Sequence, residues 1–210
     1  MGPEEAYRLA RGEEITATHR EKVKLSRPLD WLVVADHSDG MGAMNEIIKG
    51  NQGLMKDPTV KDWNQRINEG GKTALMATMD VINSFALGKI PEILLDEDFS
   101  QTIWDRYIKT AEKYNEPGKF TTIIGYEWTS TENGNNLHRN VLYRDGGQLA
   151  RQMLPYTTSE SFNPEELWKW MAAYEEETKG RVLAIAHNGN LSNGIMCPVE
   201  TNPATGQPLD

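Results

Sequence analysis

The chain has four histidines, and three of them stand at the ends of apolar, strand-like runs. Leu32-Val33-Val34-Ala35 leads into Asp36-His37-Ser38-Asp39, and Val182-Leu183-Ala184-Ile185-Ala186 leads into His187-Asn188-Gly189-Asn190. His138 stands just ahead of Asn140-Val141-Leu142-Tyr143-Arg144, and Thr121-Thr122-Ile123-Ile124-Gly125 ends in Tyr126-Glu127-Trp128. Neutral imidazole nitrogen and carboxylate oxygen are the ligands that divalent metals take. In an α/β barrel or open sheet the carboxyl ends of parallel strands lie on one face, and that face carries the chemistry.

Each position also has a plainer alternative. His37 could simply cap its strand in an Asp/Ser turn, with Asp36 beside it as ligand or as support for the ring. Glu127 could be a ligand, a general base, or a surface glutamate at a strand terminus. At 138–139, period-2 alternation sends one side chain to the site and the other away. The functional reading turns His138 inward and leaves Arg139 for a salt bridge or an anionic group; the alternative is an exposed histidine at a strand start. His187 follows the cleanest apolar run and enters a loop of asparagines and glycine. His19, in Thr18-His19-Arg20, has no apolar strand behind it and reads as a solvated loop residue.

The elements that must position these groups are legible from pattern. Pro3 to Gly12 reads as a short helix, opened by proline and acids and stopped by glycine. Glu13–Pro28 reads as a loop or small hairpin, and Trp31–Ala35 as a strand buried on both faces. Asn45–Lys49 reads as a helical turn, and Asp57-Pro58 opens the next helix. Lys72–Leu87 reads as a helix with Leu75, Met79, Ile82 and Ala86 on its core stripe. Ser100 caps a helix to Tyr114 with Ile103, Tyr107, Ala111 and Tyr114 inside, ended by Glu116-Pro117-Gly118. Thr131–Asn136 reads as a polar loop. Asp145-Gly146-Gly147 is a turn signal, after which the chain is expected to pair back antiparallel. Asn163-Pro164-Glu165-Glu166 caps a helix to Gly180 with Leu167, Trp170, Met171 and Tyr174 inside. Helix–strand alternation with strands apolar on both sides gives the fold class α/β with a mostly parallel sheet.

The 210 residues form one domain, with no internal repeat and no dividing linker. A net charge of −9 argues against a general nucleic-acid binder; it leaves room for an anionic substrate, since a metal would dominate the local field. Cys197 is the single cysteine, so neither an intrachain disulfide nor a thiolate cluster is available. No apolar run is long enough to span a membrane. No Walker loop, dinucleotide fingerprint or Gly-x-Ser-x-Gly elbow is present, and no cofactor-binding motif is assigned. The chain opens on Met1-Gly2-Pro3 directly before a helix and stops at Gln207-Pro208-Leu209-Asp210 in a polar loop. Both ends therefore read as cut, and compartment is left open.

Val33-Val34-Ala35-Asp36-His37, Gly125-Tyr126-Glu127-Trp128, His138 and Ala186-His187-Asn188 together resemble successive motifs of the PHP (polymerase and histidinol phosphatase) superfamily. More closely, Arg27-Pro28-Leu29-Asp30-Trp31 through Gly40 and Ala186-His187-Asn188-Gly189-Asn190-Leu191-Ser192-Asn193-Gly194 resemble a related bacterial family defined only as a domain of unknown function, family three-six-zero-four. The resemblance implies a distorted β/α barrel holding divalent zinc, manganese or iron at its strand ends and hydrolysing phosphoesters. It implies His37, Glu127, His138 and His187 as metal ligands, with Asp36 as the acid beside the second-motif histidine; taken with the reading of the residues themselves, the catalytic candidates are Asp36, Glu127 and Arg139. The superfamily's opening His-x-His and closing Asp-x-His pairs are missing here. The expectation is an internal fragment of a longer barrel, with an incomplete site, little or no metal or activity of its own, and exposed edges through which it self-associates.

Three functions are carried forward. The first is a metal-dependent hydrolase, phosphoesterase-like, acting on a small molecule, phosphorylated or not. The second is a catalytically incomplete binding or structural module. The third is a metal-dependent amide or cyclic-ester hydrolase.

Overall fold

The computed structural model describes residues 2–202 and 204–208; Met1, Leu209 and Asp210, on which the expectation of trimmed ends partly rests, lie outside the described residues, as do the side chains of Ala86 and Glu132. In chain order the elements are α1 (Pro3–Ala10), β1 (Ile15–Thr16), β2 (Lys22–Val23), β3 (Trp31–Val33), α2 (Ala43–Lys49), α3 (Pro58–Glu69), α4 (Gly71–Ala86), α5 (Glu97–Tyr114), β4 (Thr121–Ile123), β5 (Gly125–Trp128), β6 (Thr131–Glu132), β7 (Asn135–Asn136), β8 (Arg139–Tyr143), α6 (Gly147–Ala150), α7 (Pro164–Thr178) and β9 (Val182–Ala186). The sequence reads as one domain over 1–210, and the chain divides into two compact units, 1–38 with 104–210, and 39–103.

The 39–103 unit is helical. Asp57 caps α3 by accepting from the Thr59 and Val60 amides, as its position before Pro58 requires. Ala43, Ile47, Leu54, Val60, Trp63, Val81 and Leu94 form its core. The expected core stripe of α4 is corrected here. Leu75 is 63 % exposed and Ile82 50 %, with Met79 also exposed, while Ala77 and Val81 are the buried positions. The helix is apolar on more than one side, so periodicity could not say which side the core occupies.

Helix α5 starts in the 39–103 unit and begins before Ser100: Asp96 accepts from the Phe99 amide at 2.8 Å, and Ser100 lies inside the helix. Its expected stripe Ile103, Tyr107, Ala111 and Tyr114 is buried, joined by Trp104 and Ile108. Strand β3 pairs parallel with β4 (Trp31↔Thr121 to Val33↔Ile123). Beyond these strands the pairing resumes at His37↔Glu127, again parallel, where the Glu127 amide donates to Asp36 O and the Ser38 amide to Glu127 O, each at 2.8 Å.

The rest of the sheet corrects the mostly parallel expectation: β5–β8 and β8–β9 are both antiparallel. Only residues 129–138 separate β5 from β8, too few for the crossover a parallel pair needs. Part of that segment, expected as loop, is the β6–β7 hairpin. After β8 the chain enters α6 rather than pairing back; the antiparallel partners of β8 are β5 and β9. The fold class is therefore mixed α/β with small sheets, and among the described residues no sheet closes into a barrel.

One face of this sheet is packed by aromatics of α5 and α7. Trp104 meets Tyr126 edge-on and tilts against Tyr143, Tyr143 meets Tyr174, and Trp170 meets Tyr126. Trp104 also donates to Ala150 O at 3.0 Å. The opposite face is less covered, with Leu183 and Ile185 of β9 exposed; in the separate β3–β4 pair Trp31 is exposed too. The expectation that these strands are buried on both faces does not hold, since helices cover only one.

Candidate functional site

The antiparallel turn of β8 brings the site together. His37 follows β3, Glu127 lies near the end of β5, and His187 follows β9. His138 precedes β8, so on an antiparallel strand it reaches the same edge of the sheet as residues that follow the other strands. The ladder continues one step past the strands, with the His187 amide donating to His138 O at 3.0 Å. Gly125 makes this convergence possible at close quarters. A Cβ there would lie 2.8 Å from Val33 Cγ2 and 2.9 Å from the Val141 carbonyl oxygen.

Glu127 is the hub, only 4 % exposed. His138 Nδ1 lies 2.6 Å from its Oε1, His37 Nε2 lies 3.8 Å from the same oxygen, and His187 Nε2 lies 3.8 Å from Oε2. The His138 ring sits edge-on to His37, with centroids 5.9 Å apart, and stacks with His187 at 6.3 Å. Burial pushes the Glu127 carboxyl up, but the His138 hydrogen bond and the charges of His37, His187 and His138 outweigh it, leaving the group below the ordinary carboxylate value. The other ring nitrogen of His138 meets Thr131 Oγ1 at 3.3 Å.

Asp36 stands at the rim beside His37; desolvation pushes its carboxyl up, against the pull of His37. Arg139 points elsewhere. It is 6 % exposed, and its guanidinium donates to Leu137 O at 3.0 Å, to His138 O at 3.2 Å, and to the carbonyl oxygen and Sδ of Met196. The alternation expected at 138–139 is seen, but the guanidinium is taken up by main chain and is not offered to an anion beside the imidazoles. His19 is exposed and apart, as its sequence context suggests.

Two site residues escape the sequence reading. Thr131 gives no signal in sequence, since it comes to His138 through the β6–β7 hairpin. Asn140 could have been found: it sits two residues after His138 and so shares its face. It pairs directly with Glu127, and its side-chain amide lies 3.3 Å from His187 Nδ1. The 187–196 loop is stitched to the hairpin by Asn136 Nδ2 to Asn188 Oδ1 at 2.8 Å and by the Asn136 amide to Leu191 O at 3.0 Å.

The family model described as "Protein of unknown function (DUF3604)" matches residues 1–210. The chain belongs to this family. No curated protein and no solved structure matches the chain. No helix among the described residues of this DUF3604 chain is long and apolar enough to cross a membrane.

By donor type, three imidazoles and a carboxylate suit a divalent ion. By placement, the rings close on Glu127 rather than around a shared point, and among the described residues no group of three or more His, Cys, Asp and Glu is disposed to hold an ion. Asn140 Oδ1 is buried with no hydrogen-bond partner. Nδ2 of the same amide faces His187 Nδ1, and a half-turn of the amide would put Oδ1 there as the acceptor that a ring N–H of a ligating His187 would need. The donor set therefore fits an ion in chemistry, while in placement His138 would have to give up its hold on Glu127.

Proposed function

We propose that this chain carries the metal-binding face of a metal-dependent hydrolase, phosphoesterase-like and of the PHP kind that its motifs resemble. His37, Glu127, His138 and His187 are the donors. What supports the reading is the gathering of three imidazoles from separate segments within 3.8 Å of one buried carboxylate. A buried carboxylate without such partners would be costly, and a buried carboxylate whose pKa is shifted by specific partners marks a candidate functional site. A bound zinc, manganese or iron ion would supply a Lewis acid for ester cleavage.

The chain's own residues set the rest. Glu127 is held in its ionised form by the imidazoles around it. Thr131 Oγ1 meets the ring nitrogen of His138 that faces away from Glu127 and so orients the ring. Asp36, pushed up by desolvation, holds its proton to higher pH than an ordinary aspartate and stands beside His37 at the accessible rim. With Arg139 committed to backbone, an anionic substrate group is received by the imidazole cluster.

The test is elemental analysis of the purified protein after exposure to zinc, manganese and iron, beside His187→Ala and Glu127→Ala, with p-nitrophenyl phosphate hydrolysis as second readout. Stoichiometric metal lost in both variants is the expected result. Absence of metal from the wild type, or equal metal in all three proteins, would overturn the proposal in favour of a binding or structural module.

A further inference from the structure

Asn140 presents two observations that belong together. Its Nδ2 lies 3.3 Å from His187 Nδ1. Its Oδ1 is buried, and among the described residues no donor reaches it. An amide –NH2 only donates, so in this arrangement His187 Nδ1 accepts. A neutral imidazole has one proton, which must then sit on Nε2, the nitrogen 3.8 Å from Glu127 Oε2. This state suits the carboxylate, which favours an N–H facing it. It also leaves the Nε2 lone pair blocked by a proton, and a buried carbonyl oxygen without a partner, which is unfavourable.

A half-turn of the Asn140 amide about χ2 reverses both features. Oδ1 would then accept from Nδ1–H, and His187 Nε2 would turn a lone pair toward Glu127, His138 and His37. The exchange needs almost no space, because the amide oxygen and nitrogen are nearly equal in size. The main chain would not need to move. Asn140 is fixed in the β8 ladder opposite Glu127 and Ile185, and His187 is fixed by its amide bond to His138 O.

We infer that Asn140 is a positioning residue that sets which ring nitrogen of His187 carries the proton, and so switches His187 between a partner of Glu127 and a metal ligand. The inference rests on the metal reading above for its purpose but not for its first observable. Asn140 touches no reacting atom in this scheme; it acts through His187. Ring orientation and tautomer set by a neighbouring side chain are the general means by which ligating histidines are tuned.

The experiment uses 15N-histidine-labelled protein at about pH 8, where free histidine is neutral, and reads the His187 ring nitrogens by long-range 1H–15N correlation, before and after zinc. Metal-free wild type shows the proton on Nε2; zinc moves it to Nδ1. Asn140→Asp, which can only accept, shows the proton on Nδ1 without zinc and keeps zinc affinity at or above that of wild type. Asn140→Leu shows mixed tautomers and binds zinc about 10–100-fold more weakly. If Asn140→Leu does not fold, the Asn140→Asp spectrum decides alone. A His187 tautomer that is the same in wild type and Asn140→Asp overturns the inference whether or not zinc binds. A tautomer that follows residue 140 in a protein that binds no zinc upholds the role of Asn140 and sinks the metal reading instead.

Discussion

Replacing Arg139 with methionine tests whether its guanidinium serves the loop or a substrate. The side chain is nearly fully buried, and among the described residues no carboxylate is bonded to it; its partners are Leu137 O, His138 O and the Met196 carbonyl and sulfur. Desolvation lowers its pKa from the usual arginine value, as expected for a cation taken from water. His138 O keeps a second donor, the His187 amide, whereas Leu137 O and Met196 O lose the one Arg139 supplies. Two orphaned carbonyls at about 1–3 kcal/mol each give about 2–6 kcal/mol. Removing the guanidinium also relieves its own desolvation, which trims the upper part of that range and leaves about 2–4 kcal/mol. At a urea slope of about 2–3 kcal/mol/M the midpoint falls by about 1–2 M. The assay is urea unfolding followed by tryptophan fluorescence, with amide exchange across 187–196 as the local readout. Arg139→Lys, which keeps the charge but cannot span three carbonyls, falls between the two proteins. A midpoint shift under about 0.3 M for Arg139→Met, with the loop still protected, would mean that the guanidinium does not hold the loop and would return Arg139 to the role of an anion holder.

Other outcomes follow from the same geometry. Gly125→Ala, with its Cβ set against Val33 and the immovable Val141 carbonyl, costs about 1–3 kcal/mol in thermal or urea unfolding; a neutral change would show that β3 and β5 can part. Glu127 titrates below its unfolded value, so its contribution is present above that value and fades as pH falls through the lower folded one. Glu127→Gln therefore flattens the acid limb of the stability–pH profile, and an unchanged limb would remove the cluster's hold on the carboxylate. Tyr7 is pushed from 10.0 up to about 12, chiefly by burial, so its contribution is complete below pH 10 and lost as pH rises to about 12. Tyr7→Phe should be less sensitive than wild type across that interval, by up to about 3 kcal/mol. Leu75→Ala and Ile82→Ala on the open side of α4 shift stability by no more than about 0.5 kcal/mol, whereas a cost of 2 kcal/mol or more would mean that side is covered in solution.

The local elements and the chemical materials are legible in the order of residues alone. Proline, acids and glycine in α1, the Asp57 and Asn163 caps, and the buried stripe of α5 follow from short-range rules, and the structure repeats them. His37, Glu127, His138 and His187 were legible because each interrupts or borders an apolar run. Tertiary structure decided how those runs lie together. The direction of β8 follows from a connection too short for a crossover, and it alone carries His138 to the edge where His37 and His187 emerge. The side of α4 that is buried was undecidable from a helix apolar on several sides, and the covering of one sheet face alone was invisible in strands apolar on both. Arg139 and Asn140 make the same point at the site. Alternation assigns them opposite faces, but what waits on each face, a row of carbonyls for one and an imidazole for the other, is fixed only when distant segments meet. Short-range rules act through neighbours in sequence, whereas a buried polar group is satisfied by whatever the folded chain brings within about 3 Å of it.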